Sequence, residues 1–306
     1  MEKIVVITGP TGVGKTKLSI ELAKRYNGEI INADAMQVYK DLNIGTAKII
    51  EEEKEDIPHH LFDIKDVYEE YSIYNYQTDC REKIKEVLSR GKTPILVGGT
   101  GLYIKSALYD YKLEEKTNII DDNYDNLTNE ELYQELVKLD NRASLKINMN
   151  NRKRVINAIN YYKNTGSSIT ENKTDKLLYD SIFIGLTTDR ENLYNIINKR
   201  VDNMVDAGLI DEVKTFFDKK IYTKPLTGGI GYKELYQYFE GKCSLEEALN
   251  LIKRNSRRYA KRQYTFFNHQ LPVIWFNTDY NNFNNTINEV SAYIDKNINI
   301  KKRGNL

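Results

Sequence analysis

Gly9-Pro10-Thr11-Gly12-Val13-Gly14-Lys15-Thr16 fits the pattern G-x-x-x-x-G-K-[S/T]. Residues of these types at this spacing grip phosphate. The glycine-rich backbone turns successive N–H groups toward one point, Lys15 adds a positive charge, and the Thr16 hydroxyl suits Mg²⁺. Two further chemistry-bearing groups follow short apolar runs. Asp34 comes just after residues 29–32 and is the best-placed general base, with a helix cap or a surface carboxylate as its plainer alternatives. Thr100, in Gly98-Gly99-Thr100-Gly101, follows residues 94–97. Its hydroxyl can hydrogen-bond a phosphate or a reacting amine and can equally cap the next helix, and the two roles can coexist.

These groups can act together only if strands deliver them to one place. Residues 3–8 are apolar and β-branched, and residues 15–26 carry Leu18, Leu22 and Ala23 at helical spacing, so the loop sits between strand and helix, the context the pattern needs. In an open parallel sheet, ligand groups gather beyond the carboxyl ends of the strands. The glycine loop, Asp34 and Thr100 are therefore expected to converge on one crevice. The predicted fold is α/β, a P-loop NTPase-like parallel sheet flanked by helices, with an inserted all-helical subdomain. Residues 1–109 and 180–306 make the core. Residues 110–179 make the insertion, where the chain turns polar and Asn/Asp-rich and then reads as helices without strands over 132–165. Residues 181–187 return to the sheet. Helices follow near 190–207, 211–219, 232–239 and 245–267, then a last strand at 272–276 and a terminal helix.

A length of 306 residues accommodates a full core with a smaller unit beside it. Lysine and arginine number 45 against 44 acids, a net charge of +1 that would not by itself gather a nucleic acid, so such a partner must meet a local patch. Cys80 and Cys243 fall in helix-like stretches without metal-ligand spacing, which fits a reducing compartment. No run reaches the roughly 18 apolar residues of a membrane span, and the opening apolar run is short for a signal peptide. A soluble, cytoplasmic protein with no obligate protein partner, a monomer, is expected.

The glycine loop alone would suit nucleotide and ATP binding. A small-molecule kinase, however, would add a strand ending in a second metal-binding acid and an arginine-rich lid. Here the strand at 94–97 ends in glycines and Thr100. Basic patches point elsewhere. Residues 253–262 hold six cations and no acid, with Arg254, Arg258 and Arg262 at i, i+4, i+8 along one helix face and Tyr259 and Phe266 nearby. Such a stripe can track the phosphates of RNA, or be an ordinary solvated face. Lys153 and Arg154 form a second patch at the start of a helix in the insertion. His59 and His60 read as packing or backbone-bonding residues, and Trp275 as core.

The ordered set of these segments resembles the bacterial tRNA dimethylallyltransferases, also called tRNA isopentenyltransferases. The likeness runs from the glycine loop through Asp34-Ala35-Met36-Gln37-Val38-Tyr39-Lys40, Asn43-Ile44-Gly45-Thr46-Ala47-Lys48 and Pro58-His59-His60-Leu61. It continues through Val97-Gly98-Gly99-Thr100-Gly101-Leu102-Tyr103, Asp189 to Tyr194, Arg200 to Met204, Ile230 to Glu234 and Ala260-Lys261-Arg262-Gln263. It thus spans nearly the whole chain in register.

The resemblance implies transfer of a dimethylallyl group from dimethylallyl diphosphate to the exocyclic amine of the adenosine immediately 3′ of the anticodon. Gly9 to Thr16 and a Thr16-held Mg²⁺ would then bind the diphosphate, with Lys15, Asp34 and Thr100 as catalytic residues. Asp34, Ala35, Met36 and Gln37, with Thr100, would line the pocket for the flipped base. Lys153, Arg154, Arg254, Arg258 and Arg262 would contact the anticodon stem-loop. The chain departs from the family pattern at Asn157 and Asn160, where arginine and glutamate are usual, and at Phe266 and Asn268, where tryptophan and arginine are usual. It also looks shortened around 116–129. These departures bear on RNA affinity more than on the chemistry. The rival readings are a small-molecule or nucleotide kinase and a nucleotide-switched RNA-binding protein.

Overall fold

Ile4, Val5, Val6 and Ile7 have no solvent exposure. A strand covered on both faces needs such an uninterrupted apolar run. In the computed structural model, which describes residues 3–111, 113, 124–170 and 173–297, this run is β1 (Lys3–Thr8). It is followed by α1 (Lys15–Tyr26), β2 (Gly28–Asn32), a short edge strand β3 (His59–His60), α2 (Ile73–Ser89), β4 (Thr93–Val97) and α3 (Gly101–Leu108). After the insertion come β7 (Asp180–Thr187), α7 (Arg190–Asp206), α8 (Leu209–Asp218), α9 (Lys224–Gly228), α10 (Tyr232–Phe239), α11 (Leu245–Gln270), β8 (Ile274–Asn277) and α12 (Phe283–Asn297). The sequence reading anticipates these elements except α2, α9 and the two-residue β3.

The sheet runs β3-β2-β4-β1-β7-β8. Every neighbouring pair is parallel, with Val6 beside Leu96 on one side and Phe183 on the other. All carboxyl ends therefore lie along one edge, and the order places the end of β4 between those of β1 and β2. One hydrophobic cluster fills the space between β1, β4, β7, α1 and α12, around Val5, Leu18, Ile95, Ile184 and Val290. A second gathers Val38, Leu42, Val201, Val213, Phe216, Tyr232 and Ile252 from α7 to α11 and the chain after β2. The second cluster anchors the segment that carries Asp34.

The described chain forms two compact units, Met1–Leu108 with Leu177–Leu306, and Tyr109–Lys176. The second unit contains β5 (Tyr109–Tyr111), α4 (Asn129–Leu139), α5 (Asn141–Ser144), α6 (Arg152–Thr165) and β6 (Lys173–Leu177). Its core is Leu132, Leu136, Ala143, Ile147, Val155, Ala158 and Ile159. Thr128 caps α4 by accepting from the Glu131 N–H, while Glu131 returns a bond to the Thr128 N–H. The expectation of an all-helical insertion is corrected here, because β5 and β6 pair as a two-stranded sheet. The outgoing and returning chains run side by side and their backbone groups satisfy one another, although the outgoing strand is only three residues long and the returning one carries no apolar alternation. Cys243 lies in the turn before α11 rather than in a helix. Trp275 sits on the edge strand β8, half-buried, with its indole N–H on Asn268 Oδ1 at 2.8 Å, and is not core.

Candidate active site

Three strand ends are stitched to one another by backbone. The Ala33 N–H after β2 donates to Val97 O of β4 at 2.8 Å, Thr100 N–H donates to Ala33 O at 3.0 Å, and Gly98 N–H donates to Ile7 O of β1 at 3.2 Å. The Thr8 hydroxyl adds a bond to Gly98 O at 3.1 Å. This proximity demands glycine at 98, where a Cβ would stand 2.2 Å from the Ala33 carbonyl. The Gly9–Thr16 loop, Asp34 and Thr100 are thus brought together as the strand topology requires.

Asp34 begins a turn. Its N–H donates to Asn32 Oδ1, and its Oδ1 accepts from the Met36 N–H at 2.9 Å. Oδ2 has no hydrogen-bond partner among the described residues, so one carboxylate oxygen fixes the side chain while the other remains free to accept a proton. Thr100 divides its roles between its atoms. Its carbonyl accepts from the Tyr103 and Ile104 N–H groups at the start of α3, while Oγ1 accepts from the Ala35 N–H at 3.0 Å. The Thr100 hydroxyl therefore takes no part in the helix cap. Gln37 donates its amide N–H to Thr46 O at 3.1 Å and Ala47 O at 3.4 Å. That amide nitrogen is committed to backbone, leaving the Gln37 oxygen as the atom for recognition.

In the loop, Gly9 has φ +136°, and a Cβ there would lie 2.4 Å from the Leu186 carbonyl. Val13 is fully buried and its carbonyl accepts the Thr278 hydroxyl at 2.9 Å, so Val13 offers backbone rather than side chain. Gly14, in the left-handed region, precedes α1 without a capping side chain, which leaves the helix's first N–H groups without side-chain partners. Thr11 is half-buried, and Thr16 is exposed with no partner for its hydroxyl among the described residues. The Lys15 amino group folds back and donates to Gly9 O at 2.9 Å and Pro10 O at 2.7 Å. Burial, with the nearby Arg200 charge, lowers its pKa to about 7 against the opposing influence of Asp34. No group of three or more His, Cys, Asp or Glu side chains that could hold a metal occurs among the described residues. A divalent ion would have to share the Thr16 hydroxyl with oxygens of a ligand.

Sequence reasoning did not place three residues at this site: Arg200 and Gln263 received no role, and Tyr259 was read only as a packing or stacking ring beside the basic stripe. Arg200, from α7, faces the field of Lys15 and Asp34, and its pKa is lowered by burial despite Asp34. Tyr259 and Gln263, one turn apart on α11, close over Thr100. Burial and then the Asp34 charge push the Tyr259 phenol up to about 12, while Thr100 and Gln263 beside its hydroxyl act in the opposite direction. Arg200 and Gln263 lie inside segments that carry the family resemblance, and Tyr259 directly precedes one, which was the available signal. Only the fold shows that their side chains meet Asp34.

The basic residues are placed differently. Arg254, Arg258 and Arg262 are exposed on α11. The Arg262 guanidinium lies 5.6 Å from the Tyr259 ring centre, whereas Arg254 and Arg258 have no hydrogen bond or ion pair among the described residues. Lys253 and Arg257 turn instead to α7, onto Asp202 at 2.5 Å and Asn198 at 2.6 Å. Lys153 and Arg154 are exposed in the first turn of α6, in the other unit. The departures from the family pattern acquire local reasons. Asn160 accepts from the Tyr124 hydroxyl at 2.9 Å, Asn157 is exposed, Asn268 holds Trp275, and the Phe266 ring covers Gly101. Most of the shortened stretch at 116–129 lies outside the described residues. His59 bonds Ile57 O, and His60 bonds the buried Glu29, so neither is arranged as a ligand. No described helix is long and apolar enough to cross a membrane.

The family model described as IPP transferase matches residues 37–270. The chain belongs to the IPP transferase family. It is 50% identical over 300 residues to the tRNA dimethylallyltransferase of Anoxybacillus flavithermus, with 96% of each chain covered. It is 46% identical over 305 residues to that of Geobacillus kaustophilus, again with 96% of each covered. The crystal structure of the full-length tRNA isopentenylpyrophosphate transferase of Bacillus halodurans matches 97% of each chain at 43% identity, with a TM-score of 0.76. A eukaryotic dimethylallyltransferase captured acting on tRNA matches 98% of this chain and 81% of its own at 31% identity, with a TM-score of 0.83. IPP transferase relatives therefore share both the sequence and the parallel α/β architecture.

Proposed function

We infer that this protein is a tRNA-modifying prenyltransferase. It moves a dimethylallyl group from dimethylallyl diphosphate to the exocyclic amine of the adenosine immediately 3′ of the anticodon, and releases diphosphate. The observation that carries the reading is the convergence of the Gly9–Thr16 loop with Asp34 and Thr100 on one sheet edge, in a chain 50% identical to a tRNA dimethylallyltransferase.

The chemistry follows from where charge develops. The amine nitrogen attacks the allylic carbon, the carbon–oxygen bond breaks, and its electron pair leaves on the diphosphate. The loop N–H groups, the amino end of α1 and Lys15 stabilise that growing negative charge. Lys15 must exchange its bonds to Gly9 O and Pro10 O for diphosphate oxygens as the donor binds. Arg200 lies close enough to Lys15 to share the same anion. Asp34 takes the amine proton on Oδ2 while Met36 N–H holds Oδ1 in place. Thr100, with its acceptor lone pair tied to Ala35 N–H, donates its hydrogen toward the reacting groups. Mg²⁺ fits this donor set as an ion borne by the diphosphate with Thr16 as its protein ligand, where it would neutralise charge on the leaving group. The target base leaves the anticodon-loop stack to reach Asp34–Gln37, with Ala35 and Met36 as its walls. Arg254, Arg258, Arg262, Lys153 and Arg154 supply phosphate contacts. The enzyme acts in the cytoplasm without an obligate protein partner.

Incubation with unmodified tRNA and either labelled dimethylallyl diphosphate or γ-labelled ATP tests the reading. Label passing from the allylic donor into tRNA, dependent on Mg²⁺, is the expected result. Phosphoryl transfer from ATP to a small acceptor would overturn it in favour of a kinase, and no transfer from either donor would favour a binding protein.

A further inference from the structure

Glu234 is 2% exposed, yet it carries a carboxylate. Burying a charge costs free energy unless partners compensate it, so the partners show what the side chain is there to hold. Oε2 accepts the Gly231 N–H at 2.8 Å and Oε1 accepts the Asn255 amide N–H at 2.7 Å, with Lys233 Nζ 3.6 Å away. Gly231 precedes α10 with φ +97°, a conformation that a residue with a Cβ adopts only under strain. Asn255 lies within the basic stretch of α11 but turns inward, while Arg254 and Arg258 on either side of it are exposed. Two helices thus hold one turn, at 228–231. That turn abuts the catalytic segment. A Cβ at Gly229 would stand 2.7 Å from Met36 Cε and 3.3 Å from the Tyr232 ring, so the Met36 methyl rests on bare backbone. Met36 in turn donates its N–H to Asp34 Oδ1 at 2.9 Å. Contacts are therefore continuous from Asn255 through Glu234, the turn and Met36 to Asp34.

We propose that Glu234 and Asn255 are positioning residues that set the Asp34 carboxylate through the 228–231 turn and Met36. The inference rests on the prenyl-transfer reading above, in which Asp34 takes the amine proton. A proton acceptor works only within hydrogen-bond reach of its donor, and a misplacement of about 1 Å caused far from the chemistry can cost about 100-fold in rate. Without an acceptor for its N–H, Gly231 no longer fixes the turn, and the Met36 methyl loses its seat. The Met36 N–H then shifts, and Asp34 moves off the amine. The Gly9–Thr16 loop makes none of these contacts, so donor binding is untouched.

The test measures single-turnover rates at saturating tRNA and dimethylallyl diphosphate, with donor affinity followed separately by calorimetry. Glu234→Leu should lower the rate by about 10- to 100-fold and change donor affinity by less than about twofold. Glu234→Gln should stay within about threefold of wild type, because its oxygen still accepts the Gly231 N–H and its amide donates to a reversed Asn255. In a Met36→Ala background, where no methyl rests on the turn, Glu234→Leu should add less than about threefold, since residues that act through one contact are not additive. Asn255→Ala removes only a half-buried side chain and carries the same test if Glu234→Leu does not fold. It should lower the rate by about three- to tenfold, with the same dependence on Met36. A wild-type rate in the variant that folds overturns the proposal. So does an undiminished loss in the Met36→Ala background, or a parallel loss of donor affinity, the results expected if the pair serves stability alone. Failure of the parent reading is distinguishable, since wild-type protein would then pass no allylic label into tRNA.

Discussion

Lys15 is held by two carbonyls of its own loop and crowded by Arg200, and both conditions change when an anion arrives. In the free site burial lowers its pKa to about 7, so near pH 7.5 most molecules carry a neutral amine. A diphosphate bound as proposed would restore the charged form. Donor binding at pH 7.5 should therefore take up roughly half a proton or more. Affinity should be flat with respect to this group below about pH 7 and fall as pH rises above it, because protonation must then accompany binding. Calorimetry in two buffers of different ionisation heat measures the uptake. Lys15→Arg, always charged, should abolish this group's share, and unchanged uptake would remove Lys15 from the anion site. Asp34 permits a sharper separation of binding from chemistry. Asp34→Asn keeps an oxygen for the Met36 N–H but no base, so turnover should drop by about 100-fold or more while tRNA affinity changes little. Single-turnover kinetics would show it.

At the scale of elements, the loop after β2 is clamped from a distant helix. The Glu212 carboxylate of α8 accepts from the backbone N–H groups of Asn43, Ile44 and Gly45 at 3.0, 2.7 and 3.0 Å, and from the Tyr232 hydroxyl at 2.6 Å. Burial and the Glu212 charge drive the Tyr232 phenol well above its ordinary pKa. The clamped loop in turn presents Thr46 O and Ala47 O to Gln37, and Thr46 O to Arg200. Glu212→Gln replaces a charged acceptor with an amide that cannot serve three N–H groups. It should cost on the order of 1–3 kcal/mol in urea unfolding and raise the KM for tRNA several-fold through Gln37, with Tyr232→Phe milder in both. An unaltered KM would show that the clamp serves stability alone. The contrast explains what could be read from the sequence. Asp34, Thr100 and the glycine loop are legible because each follows a strand directly, and parallel strands deliver their ends to one edge. Arg200, Glu212, Tyr259 and Gln263 sit on helices whose inward faces are decided by tertiary packing, and no local pattern separates them from neighbouring polar residues. The paired strands β5 and β6 escaped because Tyr109-Asp110-Tyr111 is too short for its alternation to signal a strand and Lys173–Leu177 shows none, and the pairing comes from two chain segments that only the fold lays side by side.

For the whole molecule, a net charge of +1 means that long-range attraction cannot supply tRNA affinity. Exposed cations are held by separate units, Arg254 and Arg258 on α11 and Lys153 and Arg154 on α6, and on the proposed function these would supply the phosphate contacts. Each phosphate that such a side chain neutralises releases condensed counterions, which makes affinity fall with salt in proportion to the number of contacts. Replacing Arg254 or Arg258 with alanine should weaken tRNA binding and reduce the slope of log affinity against log salt by about one for each residue. Lys153 and Arg154 should behave alike, and a variant lacking cations from both units should show nearly the sum of the separate changes, since residues without shared partners act independently. Donor use by a free diphosphate analogue should be unaffected, because the loop and Asp34 are built without these residues. A salt slope that stays at its wild-type value in the Arg254, Arg258 double variant would show that α11 presents a solvated face and that the phosphates are met elsewhere.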